Sequence, residues 1–91
     1  GILILTDLAG GSPFNVSIRL KMTADRKGTA MEVIGGTNLP VVLDAYMSRT
    51  VIADAGQLAA SSSANGRQQV IHYVMAAETY SIDDDEIEYD E

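Results

Sequence analysis

At 91 residues the chain has room for one domain at most, and a chain this short buries only a modest share of its surface, so its core is thin. With 46% hydrophobic and 21% charged residues, no Trp and one Phe, it has an ordinary globular composition whose core must come from Val, Ile, Leu, Ala and Met. The net charge of −7 belongs to one end: seven of the thirteen acids lie between Asp83 and Glu91, leaving six acids against six bases elsewhere, and no Lys/Arg cluster marks a nucleic-acid footprint.

The chain opens in an apolar run, Ile2 to Leu5, of the kind found in strands covered on both faces. It lacks an initial Met and starts inside this strand, which raises the expectation of a piece of a longer domain. Leu8 to Ser12 reads as a turn. Ser12 is the expected N-cap and Pro13 the first residue of a helix to about Ala24. Phe14, Ser17, Ile18 and Lys21 form its inward stripe, widened by Val16, Leu20 and Thr23, and Gly28 closes the unit. Met31 to Ile34 is a second strand and Gly35 to Asn38 a second turn. Asn38 is the expected cap and Pro40 an early residue of a helix to about Ser48. Strand, glycine turn, polar cap, proline and helix thus occur twice, which argues successive βα units and an α/β fold with a parallel sheet.

Helical spacing of Ile52, Ala53, Gly56, Ala59 and Ala60 predicts a third helix within Thr50 to Asn65, with Gly66 as punctuation. The alternation and β-branched content of Gln68 to Met75 predict a strand. Residues 76–91 read as an acidic, solvated tail. Met22, Met31, Met47 and Met75 are expected as core filler. The absence of Cys fits a reducing, cytoplasmic setting, and no apolar run approaches membrane-spanning length.

The first turn carries the most chemistry. Where a parallel strand hands over to a helix, backbone N–H groups near Gly11, Ser12 and Phe14 face the positive end of the helix dipole. Gly10 and Gly11 let the backbone approach a ligand closely, so the turn suits an anion such as phosphate. Asp7, at the carboxyl end of the strand, has the wrong charge to hold phosphate but suits orienting an imidazole. A tight corner with glycines for geometry explains the same residues about equally well. No P-loop, dinucleotide fingerprint or nucleophile elbow is present. Asn38 either caps its helix, the preferred reading, or reaches the same crevice. His72 is the only imidazole and reads as a strand histidine before a catalytic one, and the acidic run lacks the EF-hand pattern.

The stretch Leu5-Thr6-Asp7-Leu8-Ala9-Gly10-Gly11-Ser12-Pro13-Phe14-Asn15, followed by Glu32-Val33-Ile34-Gly35-Gly36-Thr37-Asn38-Leu39-Pro40, resembles the enzyme IIA domains of the mannose (mannose–fructose–sorbose) family of the bacterial sugar phosphotransferase system. The resemblance covers Gly1 to about Arg49 well and Val51 to Val74 loosely. It implies a doubly wound α/β domain over residues 1–75, with a mostly parallel central sheet, helices on both faces and a C-terminal strand, here Gln68 to Met75, exchanged within a homodimer. It implies a cytoplasmic histidine phosphocarrier, without metal or nucleotide cofactor, that takes a phosphoryl group from HPr and passes it to a IIB domain, serving the IIC and IID membrane components indirectly. Asp7 is then expected to orient the phosphohistidine, with Gly10, Gly11 and Ser12 holding phosphoryl oxygens. The family's histidine follows an earlier strand with no counterpart in this chain, so the chain alone is expected to be inactive, and His72 does not inherit the role. The phosphotransfer subunit of a dihydroxyacetone kinase, whose relatives lack the Gly-Gly-Ser-Pro-Phe-Asn stretch, and a non-catalytic regulatory or dimerisation module are the alternatives.

Overall fold

The computed structural model describes residues 1–75, so the acidic tail assigned to 76–91 lies outside the described residues. The elements run β1 (Ile2–Leu5), α1 (Ser12–Arg26), β2 (Met31–Ile34), α2 (Leu39–Ser48) and α3 (Ala55–Gln68). β1 and β2 pair in parallel, with Ile2 opposite Met31 and Leu5 opposite Ile34, so both strands end at the same edge of the sheet. The parallel pair joined by α1 is a βαβ unit, as the repeated strand–turn–helix pattern predicts. The fold is α/β with a two-stranded parallel sheet and three helices among the described residues.

α1 buries Ser17 and Ala24 and half-buries Phe14, Ile18 and Lys21, which is the expected stripe extended by one turn. Val16, Leu20 and Thr23, expected to widen it, are exposed instead. The Ser17 hydroxyl donates to the Pro13 carbonyl at 2.8 Å, so its burial costs no unmade hydrogen bond. Lys21 bridges α1 to β2, donating to the Met31 carbonyl at 2.9 Å and pairing with Asp25 at 3.3 Å.

α3 starts later and ends later than its periodicity predicts. Asp54 sets the start, because its carboxylate accepts from the Gly56 and Gln57 N–H groups at 2.7 and 3.4 Å. The three serines lie within the helix: Ser62, fully buried, donates to the Asp44 carboxylate of α2 at 2.9 Å. Gly66 does not punctuate. It is buried inside α3, where a methyl group would lie 2.2 Å from Val41 Cγ2 and 2.9 Å from Asn38 Oδ1. Glycine at this position is what lets α2 and α3 approach closely.

The small core joins Ala24 of α1, Ile34 of β2, Val41 and Ala45 of α2, and Ala55 and Leu58 of α3. Met22, Met47 and Met75 are exposed rather than core filler. The predicted strand at Gln68–Met75 does not form: Gln68 ends α3, and Val70, Ile71, Val74 and Met75 are exposed outside any strand. Alternation marks a surface suited to pairing without naming its partner, and the sheet of the described residues contains β1 and β2 alone. No helix of the described residues is long and apolar enough to cross a membrane.

Candidate functional site

The edge where both strands end is locked by a small threonine network. Thr6, buried directly after β1, donates to the Ile34 carbonyl through its N–H at 2.8 Å and through its hydroxyl at 3.1 Å. Thr37 returns the contact, its N–H donating to the Thr6 carbonyl at 3.0 Å and its hydroxyl to the Ile34 carbonyl at 3.4 Å. Asp7 follows this clamp immediately. Its side chain is exposed and forms no ion pair or hydrogen bond among the described residues.

From Asp7 the chain turns sharply. Gly11 N–H donates to the Leu8 carbonyl at 3.0 Å, and Gly10 sits at φ +87°, a backbone conformation that side chains disfavour. Asn15 folds back to close the turn, its side-chain amide donating to the Gly10 carbonyl at 3.1 Å. Sequence reasoning gave Asn15 no role; its place in the first turn of a helix that begins at glycines was the available signal.

Ser12 is not the N-cap. Gly11 occupies that position, Ser12 is the first helical residue and Pro13 the second, and no side chain caps α1. The physical reason is phase. Proline takes the second helical position at both turns, so the cap falls two residues before it, on Gly11 here and on Asn38 at α2. The Ser12 side chain is exposed and bonds no protein group, and the Ser12 and Phe14 N–H groups have no protein acceptor among the described residues. α2 and α3 differ: Asn38 accepts from Val41 N–H at 3.1 Å, and Asp54 caps α3. Of the three described helices, α1 alone has no side-chain cap on its N-terminal donors.

Asn38 has both ends of its amide engaged, since it also donates to the Gly66 carbonyl at 3.1 Å. The second turn is thus closed against α3. The two turns touch through Gly35: a methyl group there would lie 2.7 Å from the Phe14 ring and 2.9 Å from Ala9 Cα. Gly35, Thr6 and Thr37 escaped sequence reasoning as site residues, and Phe14 entered it through its N–H but not through its ring. A glycine pair signals a turn, but not which glycine serves backbone angle and which serves space. His72, the only histidine, lies in the exposed stretch after α3.

These observations define an α/β domain of successive βα units whose first turn is open and whose second is sealed. The chain belongs to the PTS system fructose IIA component family, whose model matches residues 1–63. It is also similar to the PTS system mannose-specific EIIAB component of Escherichia coli strain K12, at 34% identity over 70 residues, covering 77% of this chain and 20% of that protein. The proteins of the same name from Escherichia coli O157:H7 and Shigella flexneri match to the same extent. The chain spans about a fifth of the length of these curated relatives. No solved structure matches it.

Proposed function

We propose that this chain supplies the anion-holding half of the phosphotransfer site of a mannose-class IIA component of the sugar phosphotransferase system. The uncapped N-terminus of α1, in a chain of this family, is the observation that carries the reading. The Ser12 hydroxyl and the Ser12 and Phe14 N–H groups hold phosphoryl oxygens, with Gly10 and Gly11 keeping the approach clear. Asp7 accepts the N–H of one imidazole nitrogen, leaving the other free to attack phosphorus. That imidazole is one that these 91 residues do not supply at this edge, because His72 lies in the stretch after α3.

The transfer balances without a further co-reactant. The free imidazole nitrogen attacks the phosphorus of a phosphohistidine on HPr. One P–N bond forms as the other breaks, and the phosphoryl group later moves to a IIB domain in the same manner. Such transfer rests on positioning and charge stabilisation. A helix N-terminus supplies charge stabilisation, and Asp7 fixes the tautomer.

The setting is cytoplasmic, with the IIC and IID membrane components served indirectly, and the working unit is a homodimer. The exposed apolar residues Val70, Ile71, Val74 and Met75 support a strand donated to a second copy. Light scattering tests this directly: a dimer is expected, and a monodisperse monomer rejects it.

Asp7→Asn tests the central reading in the protein that carries this chain together with its phosphohistidine. Transfer from phosphorylated HPr should slow by about 100-fold, the scale of a misplaced acid–base partner. Thermal stability should stay unchanged, because Asp7 is exposed and unpaired among the described residues. An unaltered transfer rate removes the orienting role.

A further inference from the structure

The second turn holds two adjacent glycines, and they are there for different reasons. Gly36 sits at φ +69° with open space around it, so it serves the backbone angle. Gly35 is absent from the positive-φ glycines but is hemmed in: a methyl group would stand 2.7 and 2.8 Å from two carbons of the Phe14 ring and 2.9 Å from Ala9 Cα. Gly35 therefore serves space, and the space is taken by the first turn.

Which side would yield to a larger residue follows from the hydrogen bonds. Gly35 lies between Ile34 and Thr37, which are tied to the buried Thr6 by three hydrogen bonds of 2.8 to 3.1 Å and to each other by the Thr37 hydroxyl on the Ile34 carbonyl at 3.4 Å. Ile34 is also buried and paired in the sheet. On the other side, Ala9 is exposed in a turn and Phe14 is only half-buried at the start of α1. Crowding at residue 35 is therefore relieved by moving the segment from Ala9 to Phe14. That segment carries the Ser12 hydroxyl and the free N–H groups of Ser12 and Phe14.

We infer that Gly35, acting through the Phe14 ring, is a positioning residue that sets the pose of the anion-holding turn at Gly10–Ser12. This rests on the phosphotransfer reading above and adds that the sealed second turn serves as the anvil for the open first one. Donors act on an anion only when held near the productive geometry by supporting residues. Here the support is a missing Cβ on one strand end and an aromatic ring on the neighbouring helix.

The test is a double-variant cycle in this chain, read by amide resonances and by titration with inorganic phosphate. In the wild type, phosphate should shift the Ser12 and Phe14 amides saturably. Gly35→Ala should displace the resonances of Ala9 to Phe14 before any phosphate is added and weaken phosphate binding by about fivefold, equivalent to roughly 1 kcal/mol. Phe14→Leu, which withdraws the ring edge, should loosen the turn and weaken binding by about threefold. Combining the two relieves the crowding against the ring but leaves the 2.9 Å approach to Ala9 Cα, so the double variant should bind clearly better than the about fifteenfold loss that independent effects would give, a non-additivity that neighbours show and independent sites do not. A purely structural role would lower the unfolding midpoint of each variant without moving phosphate affinity in the folded protein.

A folded Gly35→Ala chain with unshifted Ala9–Phe14 amides, or with wild-type phosphate affinity, overturns the inference. Should Gly35→Ala fail to fold, the double variant decides: one that also fails to fold, so that removing the ring gives the new methyl group no relief, overturns it. Should wild type bind no phosphate, the phosphotransfer reading fails, and the displacement of the Ala9–Phe14 amides by Gly35→Ala decides the positioning role by itself.

Discussion

The two strand-to-helix turns are written in nearly the same residues and come out differently. Each runs from an apolar strand through paired glycines to a helix with proline in its second position. At the second turn the capping position falls on Asn38, whose amide satisfies Val41 N–H on one side and the Gly66 carbonyl on the other. At the first it falls on Gly11, which has no side chain to give, so the donors of α1 stay available. The lesson concerns phase: both helices carry proline as their second residue, and the residue two places earlier holds the cap position and decides whether the helix end is consumed by the fold or left open.

The largest effect is expected where the sealed turn meets α3. Gly66→Ala places a methyl group 2.2 Å from Val41 Cγ2 and 2.9 Å from the capping oxygen of Asn38, and both belong to the start of α2. Overpacking of this severity should cost about 3 kcal/mol, only partly offset by alanine's better helix propensity. Urea unfolding should show a lower midpoint at unchanged slope. Equal stability would mean that the second turn is not held shut by α3. Asn38→Ala comes next. It removes the cap and the bond to the Gly66 carbonyl together, for about 2 kcal/mol. Asp54→Ala loses a cap alone and should cost about 1 kcal/mol in the same assay.

How much of this was legible follows the same line. Both strands were readable from short, mostly apolar runs, Glu32 being the one charged residue in them, and the first two helices from proline and periodicity, because these signals are local. The Asn38 cap was readable for the same reason. The cap of α1 falls on Gly11 and not on Ser12, a good capping residue standing directly before proline, because Pro13 takes the second helical position where residue preference points to the first. Gly66 read as a break because the sequence does not display Val41, which lies against it from another helix. The strand expected at Gln68–Met75 is a related case: alternation describes a surface suited to pairing but not its partner, and the segment pairs with neither β1 nor β2. At the candidate site, Asp7, Gly10, Gly11 and Ser12 stood out by residue type. Thr6, Thr37 and Gly35, and the ring of Phe14 as distinct from its N–H, make contacts across the gap between the two turns that residue type does not advertise.

The smallest effect on stability should be the most informative about the open turn. Ser12→Ala removes a hydroxyl that is exposed and bonds no protein group among the described residues, so unfolding free energy should stay within about 0.5 kcal/mol of the wild type. A true cap at this position would cost about twice that or more, so the comparison with Asn38→Ala measures the difference between the turns in one assay. Ser12→Asp sharpens it further. A carboxylate in the first turn of α1 meets the positive end of the helix dipole and should stabilise the chain by about 0.5 kcal/mol. The same carboxylate would occupy the place proposed for phosphate and repel the anion, so the phosphate-induced shifts of the Ser12 and Phe14 amides should disappear. Stability rising while anion binding vanishes is the signature of donors left uncapped for a ligand, at a cost that the fold could have avoided with one acidic side chain. If Ser12→Asp gains stability and binds phosphate as before, the open turn is only a corner.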